Sequence, residues 1–144
     1  IMAINDYTYY QQQLEELLFR SFPELAWNSQ FIDQRSSWAA RTFEDAQAAG
    51  NPIHQCEHIA EHILLHGLHF SMYDTLLEII TQELDMLLTE PEIPGFALSM
   101  MAVCRPILNS YEIGEYFNEE PAYLEFKASL HLAIQDWITE NGLP

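Results

Sequence analysis

Five of the protein's six histidines fall in one stretch, His54-Gln-Cys-Glu-His58-Ile-Ala-Glu-His62-Ile-Leu-Leu-His66-Gly-Leu-His69. Four of them recur at every fourth position. On an α-helix that spacing stacks side chains one turn above the next. Imidazoles titrate near neutral pH and bind transition metals, so such a ladder has the chemistry of a metal site or a proton sensor. Within it, His58-Ile59-Ala60-Glu61-His62 matches H-x-x-E-H, in which two histidines hold zinc and the glutamate serves as general base on the bound water. His58 and His62 are therefore the candidate metal ligands and Glu61 the candidate catalytic base. The motif needs a third ligand, and the sequence assigns none. His131 and Asp136, near the C-terminus, echo the ligand spacing of di-iron bundles but lack the partner histidines on other helices. An exposed ladder of this kind also takes up nickel or zinc adventitiously.

Advancing about 100° per residue from His54 puts His58, His62, His66 and His69 together between roughly 40° and 120°. Glu57 and Glu61 lie just to the other side of His54. Cys56, Ile59, Ala60, Ile63 and Leu64 take the opposite arc. The segment predicts an amphipathic helix with imidazoles and carboxylates on its polar half and Leu65 as the exception.

The rest of the chain supplies what must position that helix. Asp6 caps a first helix carrying Tyr10, Leu14, Leu17 and Leu18, which Pro23 breaks. Asn28 or Ser29 caps a second with Phe31, Ile32, Trp38, Ala39, Phe43 and Ala46, closed by Gly50. Asn51-Pro52 reads as the cap and first residue of the histidine helix, which fades near Gly67. Ser71, three residues before Asp74, opens a helix with Tyr73, Leu76, Leu77, Ile80, Leu84, Leu87 and Leu88 on its apolar face. Pro91 and Pro94-Gly95 read as a loop, and a helix from about Phe96 is kinked or restarted at Pro106. Residues 111–120 read as irregular. Pro121 opens the last helix, with Leu124, Leu130, Ile134, Trp137 and Ile138 as its buried stripe. The expected fold is all-α: one domain over residues 1–144, a compact bundle of about six helices.

Composition narrows the function. The 144 residues are 49% hydrophobic and 12% aromatic, which excludes a disordered chain. Twenty-two acids face five bases, for a net charge of −17. From Asp74 onward there are thirteen acids and two bases. Direct nucleic-acid binding and docking on an anionic membrane both need basic surfaces that this chain lacks. No run is long enough for a membrane span. Residues 1–6 have no signal-peptide pattern, and two cysteines without a CxxC pair make no disulfide framework, so the expected compartment is the cytoplasm.

At the junction of the two central helices lies Gly67-Leu68-His69-Phe70-Ser71-Met72-Tyr73-Asp74-Thr75. His69 near a helix C-terminus and Asp74 near the next N-terminus both suit the local dipoles. His69, Tyr73 and Asp74 are also the candidate residues of a small binding site at this turn. The nonapeptide, with Tyr9-Tyr10, Pro23-Glu24-Leu25, Phe31-Ile32 and the ending Glu140-Asn141-Gly142-Leu143, resembles a family of small bacterial proteins, the domain of unknown function eighteen-ninety-six. That family carries Gly-Leu-His-Phe-Ser, one variable residue, then Tyr-Asp-Thr. The resemblance covers nearly the whole chain and implies an all-helical domain without an assigned activity. Of the clustered histidines, only His69 falls within the shared motif.

These features together lead us to expect a binding or accessory module without catalytic activity and without a cofactor. Its expected partner is a protein, of basic character, and a homodimer is admitted though no heptad seam demands one. The alternative is a zinc-dependent hydrolase using His58, Glu61 and His62. The third option is an acidic DNA-mimic inhibitor.

Overall fold

The computed structural model describes residues 5–144 and is built of helices. The reading of a missing signal peptide rests partly on residues 1–4, which lie outside the described residues. Seven α-helices and one 3-10 turn follow in order, with no strand among the described residues. They form two compact units, one running to His69 and one from Phe70 to Pro144.

The first unit holds α1 (Tyr7–Ser21), α2 (Ser29–Ala48) and α3 (Ile53–Leu64). Its starts follow from local chemistry. Asp6 accepts the Tyr9 N–H at 2.9 Å and Asn28 accepts the Phe31 N–H at 3.0 Å, satisfying donors that a helix start leaves without partners. Gly50 adopts φ +93° after α2. Its N–H donates to Gln47 O (3.0 Å) and the Asn51 N–H donates to Ala46 O (3.1 Å), a Schellman closure that requires the left-handed conformation glycine adopts freely. The Asn51 side chain turns the same way, its Nδ2 donating to Ala46 O at 2.9 Å. Asn51 thus closes α2 and does not cap α3, whose N-cap position is Pro52. The core of this unit joins Tyr10, Leu14, Leu18 and Phe22 to Ile32, Ala39 and Phe43 of α2 and Cys56, Ala60 and Leu64 of α3. The buried faces of α2 and α3 are rich in small side chains (Ser36, Ala39, Cys56, Ala60), which lets two helices approach closely.

The second unit holds α4 (Met72–Leu84), α5 (Glu92–Val103), α6 (Arg105–Asn109), a 3-10 turn over Phe117–Glu119 and α7 (Ala122–Asn141). Ser71 caps α4 as its sequence suggests, Oγ accepting the Asp74 N–H at 3.0 Å. Proline 106 restarts the chain as α6 after a break at Cys104. Three expectations are corrected, the first at Leu87, which lies past the end of α4 and is exposed. The segment Pro91–Gly95 is not a loop before a helix at Phe96, because α5 already begins at Glu92. Pro94 sits in its first turn, where a missing N–H costs nothing. The turn leading into α5 is fixed by Thr89 and Glu92, whose carboxylate Oε1 accepts both the Thr89 N–H and its hydroxyl at 2.8 Å. Those two bonds hold the Glu92 carboxyl below its ordinary pKa. Leu124 is not buried but 74% exposed, since Phe126, Leu130 and Ile134 define the inner face of α7 and Leu124 lies about 160° from Phe126.

The motif residue Phe70 meets Phe117, Tyr123 and Phe126 edge-on at centroid distances of 5.3–6.3 Å. Tyr111 joins the same aromatic box against Phe117 and Phe126. Edge-to-face pairs of this kind add about 0.5–1.5 kcal/mol each beyond burial.

Candidate functional site

The histidine helix has the phase its sequence dictates. Cys56, Ala60 and Leu64 are buried in the core of the first unit, whereas His54, His58, His62 and His66 are exposed. The rings of His62 and His66 lie 6.4 Å apart with planes tilted by 58°. Glu61 is exposed beside them and Glu57 is half-buried. Both carboxylates act on Tyr10 of α1: its phenol pKa is raised chiefly by burial, with smaller contributions from Glu61 and Glu57, and lowered by the hydrogen bond from Asn5 Nδ2 (3.0 Å). His58 and His62 therefore share a surface, and the field of Glu61 reaches toward α1. No group of three or more His, Cys, Asp or Glu side chains suited to a metal comes together among the described residues. His131 belongs to the second unit, where its Nε2 lies 3.7 Å from Glu83 Oε2 and Lys127 bridges Glu78 at 3.2 Å.

What holds the ladder's C-terminal end is invisible to local pattern. Arg35, from α2, donates from Nη1 to the carbonyls of Leu64 (3.2 Å) and His66 (2.6 Å), capping α3 with a positive charge. Its guanidinium also lies 4.7 Å from the centre of the Phe31 ring. Partial burial lowers its pKa from the ordinary arginine value, without making it a titrating group in the physiological range.

The junction residues divide between the units. His69 is exposed at the end of the first. In the second, Asp74 is exposed in the first turn of α4, and Tyr73 is half-buried, its pKa raised by burial and by the charge of Asp74.

A feature that periodicity passed over lies in the first unit. Between α1 and the start of α2 runs an open groove of about 540 Å³, lined by Tyr7, Gln11, Glu15, Trp27 and Asp33 among others. Trp27 is 86% exposed. It sits in the turn between Pro23 and the Asn28 cap, where Leu25 and Ala26 reach the core and Trp27 is left outside. The Tyr7 hydroxyl donates to Asp33 Oδ1 at 2.7 Å, which fixes one wall and raises the tyrosine pKa. Among the described residues, two carboxylates, two aromatic rings and no Lys, Arg or His line this groove. The readable signal was a large aromatic residue placed in a turn with no helical face to join.

No helix among the described residues is long and apolar enough to cross a membrane. No curated protein matches the chain. The crystal structure of protein PG0816 from Porphyromonas gingivalis is similar, with a TM-score of 0.90, 30% sequence identity, and 96% of this chain and 95% of that one covered. The family described as Domain of unknown function (DUF1896) matches residues 3–143. The resemblance first visible in the Gly67–Thr75 motif thus extends over the whole fold, and the chain belongs to the DUF1896 family.

Proposed function

We propose that this protein is a binding module without catalytic activity, which engages a basic segment of a protein partner through the groove between α1 and α2. The observation that carries this reading is Trp27, an exposed indole that lines the groove together with the carboxylates of Glu15 and Asp33. An exposed aromatic face next to two acids offers an arginine or lysine both a cation–π surface and a counter-ion. The net charge of −17 steers basic partners toward the whole molecule and repels nucleic acid and anionic lipid.

A cation–π contact at an exposed site contributes about 0.5–1 kcal/mol, and desolvation on docking raises it to about 2. Removing the indole should therefore weaken a basic peptide about ten-fold. The test is fluorescence anisotropy with a labelled arginine- and lysine-rich peptide and a length-matched acidic one. The basic peptide should bind, more weakly as salt rises, and Trp27→Ala should lose about ten-fold with Glu15→Gln/Asp33→Asn losing a similar amount. Equal binding by the wild type and Trp27→Ala, or no preference for the basic peptide, refutes the proposal.

A further inference from the structure

We infer that the exposed face of α3 is a chelating site for a late first-row divalent cation, with His58 and His62 as its central ligands. Imidazole pairs one helical turn apart have Cβ atoms about 5–6 Å apart, a span that two side chains can close onto one ion. One pair of this spacing, His62 and His66, holds its rings 6.4 Å apart with planes tilted by 58°. Bonds of about 2.0–2.1 Å from each ring nitrogen form by rotation about the side-chain torsions. All four rungs are exposed, and the buried residues Cys56, Ala60 and Leu64 hold the backbone beneath them.

His58 and His62 both lie inside the helix, whereas His54 is in its first turn and His66 beyond its last residue. The central pair is consequently the most rigidly spaced of the three that the ladder offers. Arg35 sits with its charge at the His66 carbonyl, which makes that end the less favourable for a cation. Glu57 and Glu61 flank the central pair on its other side and add negative potential. The site offers two imidazoles and leaves the remaining coordination positions to water. It is a site for binding, and no reaction is assigned to it. Nitrogen ligands of this kind favour copper(II) over nickel(II), and both over manganese(II).

The experiment uses full-length protein without an affinity tag, titrated calorimetrically with copper(II), nickel(II) and manganese(II) chlorides. His58→Ala/His62→Ala abolishes all three i,i+4 pairs, while His54→Ala/His66→Ala keeps only the central one. The expected result is tight nickel and copper binding by the wild type and by His54→Ala/His66→Ala. His58→Ala/His62→Ala should lose about ten-fold or more in affinity, which is 1.4 kcal/mol or more. Copper(II) paramagnetic resonance should show two equatorial imidazole nitrogens that vanish in the same variant. Acidification should release the metal as protons compete for the imidazoles. Because both central residues face solvent, far-UV circular dichroism should be unchanged in the variants; His58→Gln/His62→Gln serves where alanine lowers expression. Equal affinity in the two double variants, or a copper signal that persists without His58 and His62, overturns the inference.

Discussion

Arg35 reaches from α2 to the end of α3, and replacing it with methionine tests whether the histidine helix is held by that reach. Methionine keeps most of the apolar stem and removes the charge and both donated bonds, to Leu64 O and His66 O. A net hydrogen bond to a charged group contributes about 1.5–3 kcal/mol, and one between neutral groups about 0.5–1.5. His66 is exposed, so its carbonyl recovers a water when the guanidinium leaves, and the longer bond to Leu64 O is the one whose loss is less readily compensated. The charge at a helix C-terminus adds about 0.3–1 kcal/mol, and its contact with Phe31 about 0.5–1 at an exposed position. Weighed against the greater freedom of the methionine side chain, the expected loss is about 2 kcal/mol. Urea unfolding followed at 222 nm should show it as a lower midpoint with an unchanged slope. Amide exchange in the last turn of α3 should accelerate while the buried middle of α2, around Ala39, stays protected. Arg35→Lys should fall between, since an ammonium supplies charge but not the planar fork. A loss below 0.5 kcal/mol in Arg35→Met, with unchanged exchange at Leu64 and Leu65, would show the clamp to be ornamental.

The Ser36 hydroxyl is fully buried in the first unit without a hydrogen-bond partner among the described residues, so Ser36→Ala should stabilise by about 1 kcal/mol; a loss of that size would mean the hydroxyl is bonded in solution. Ser71→Ala removes the α4 cap and should cost about 1 kcal/mol, with unchanged stability counting against the cap. Burial pushes the Cys104 thiol up from 9.0 to about 11, so the native state keeps its proton while the unfolded chain gives it up. The resulting contribution is complete below pH 9 and is lost as pH rises toward 11, a slope that Cys104→Ala should flatten and that thiol-reagent kinetics at pH 8 should mirror as slow labelling. An alkaline unfolding profile identical in the two proteins would refute it.

Much of this was legible because it is local. Asp6, Asn28, Gly50 and Ser71 act on groups within five residues, and the phase of the ladder follows from Cys56, Ala60 and Leu64 on its own helix. Asn51 shows where locality ends: the same amide can cap the helix after it or close the one before it, and the Schellman geometry of Gly50 decided for the second. Thr89 and Glu92 carried a legible signature that the prolines around it masked. Arg35 could not be read, because its acceptors lie 29 and 31 residues away and are backbone atoms with no residue type to mark them. The groove depends on Trp27 and Asp33 meeting a face of α1, which no single-helix periodicity encodes. The fold class needed only caps and periods, while the candidate sites needed the packing.

The tight closure between α2 and α3 also bears on the order in which the first unit folds. Four residues, Ala49 to Pro52, separate the two helices, and a loop that short carries a small closure entropy. Chains rich in local contacts fold faster than those that depend on distant pairings, and the reversal at Gly50 uses only groups between Ala46 and Asn51. The α2–α3 hairpin is then the natural nucleus, with α1 docking onto a surface already made. Substitutions at Ala39 or Ala60 should slow refolding, whereas those at Leu14 should chiefly speed unfolding. The imidazole face, built on the hairpin alone, is on display from the earliest structured species.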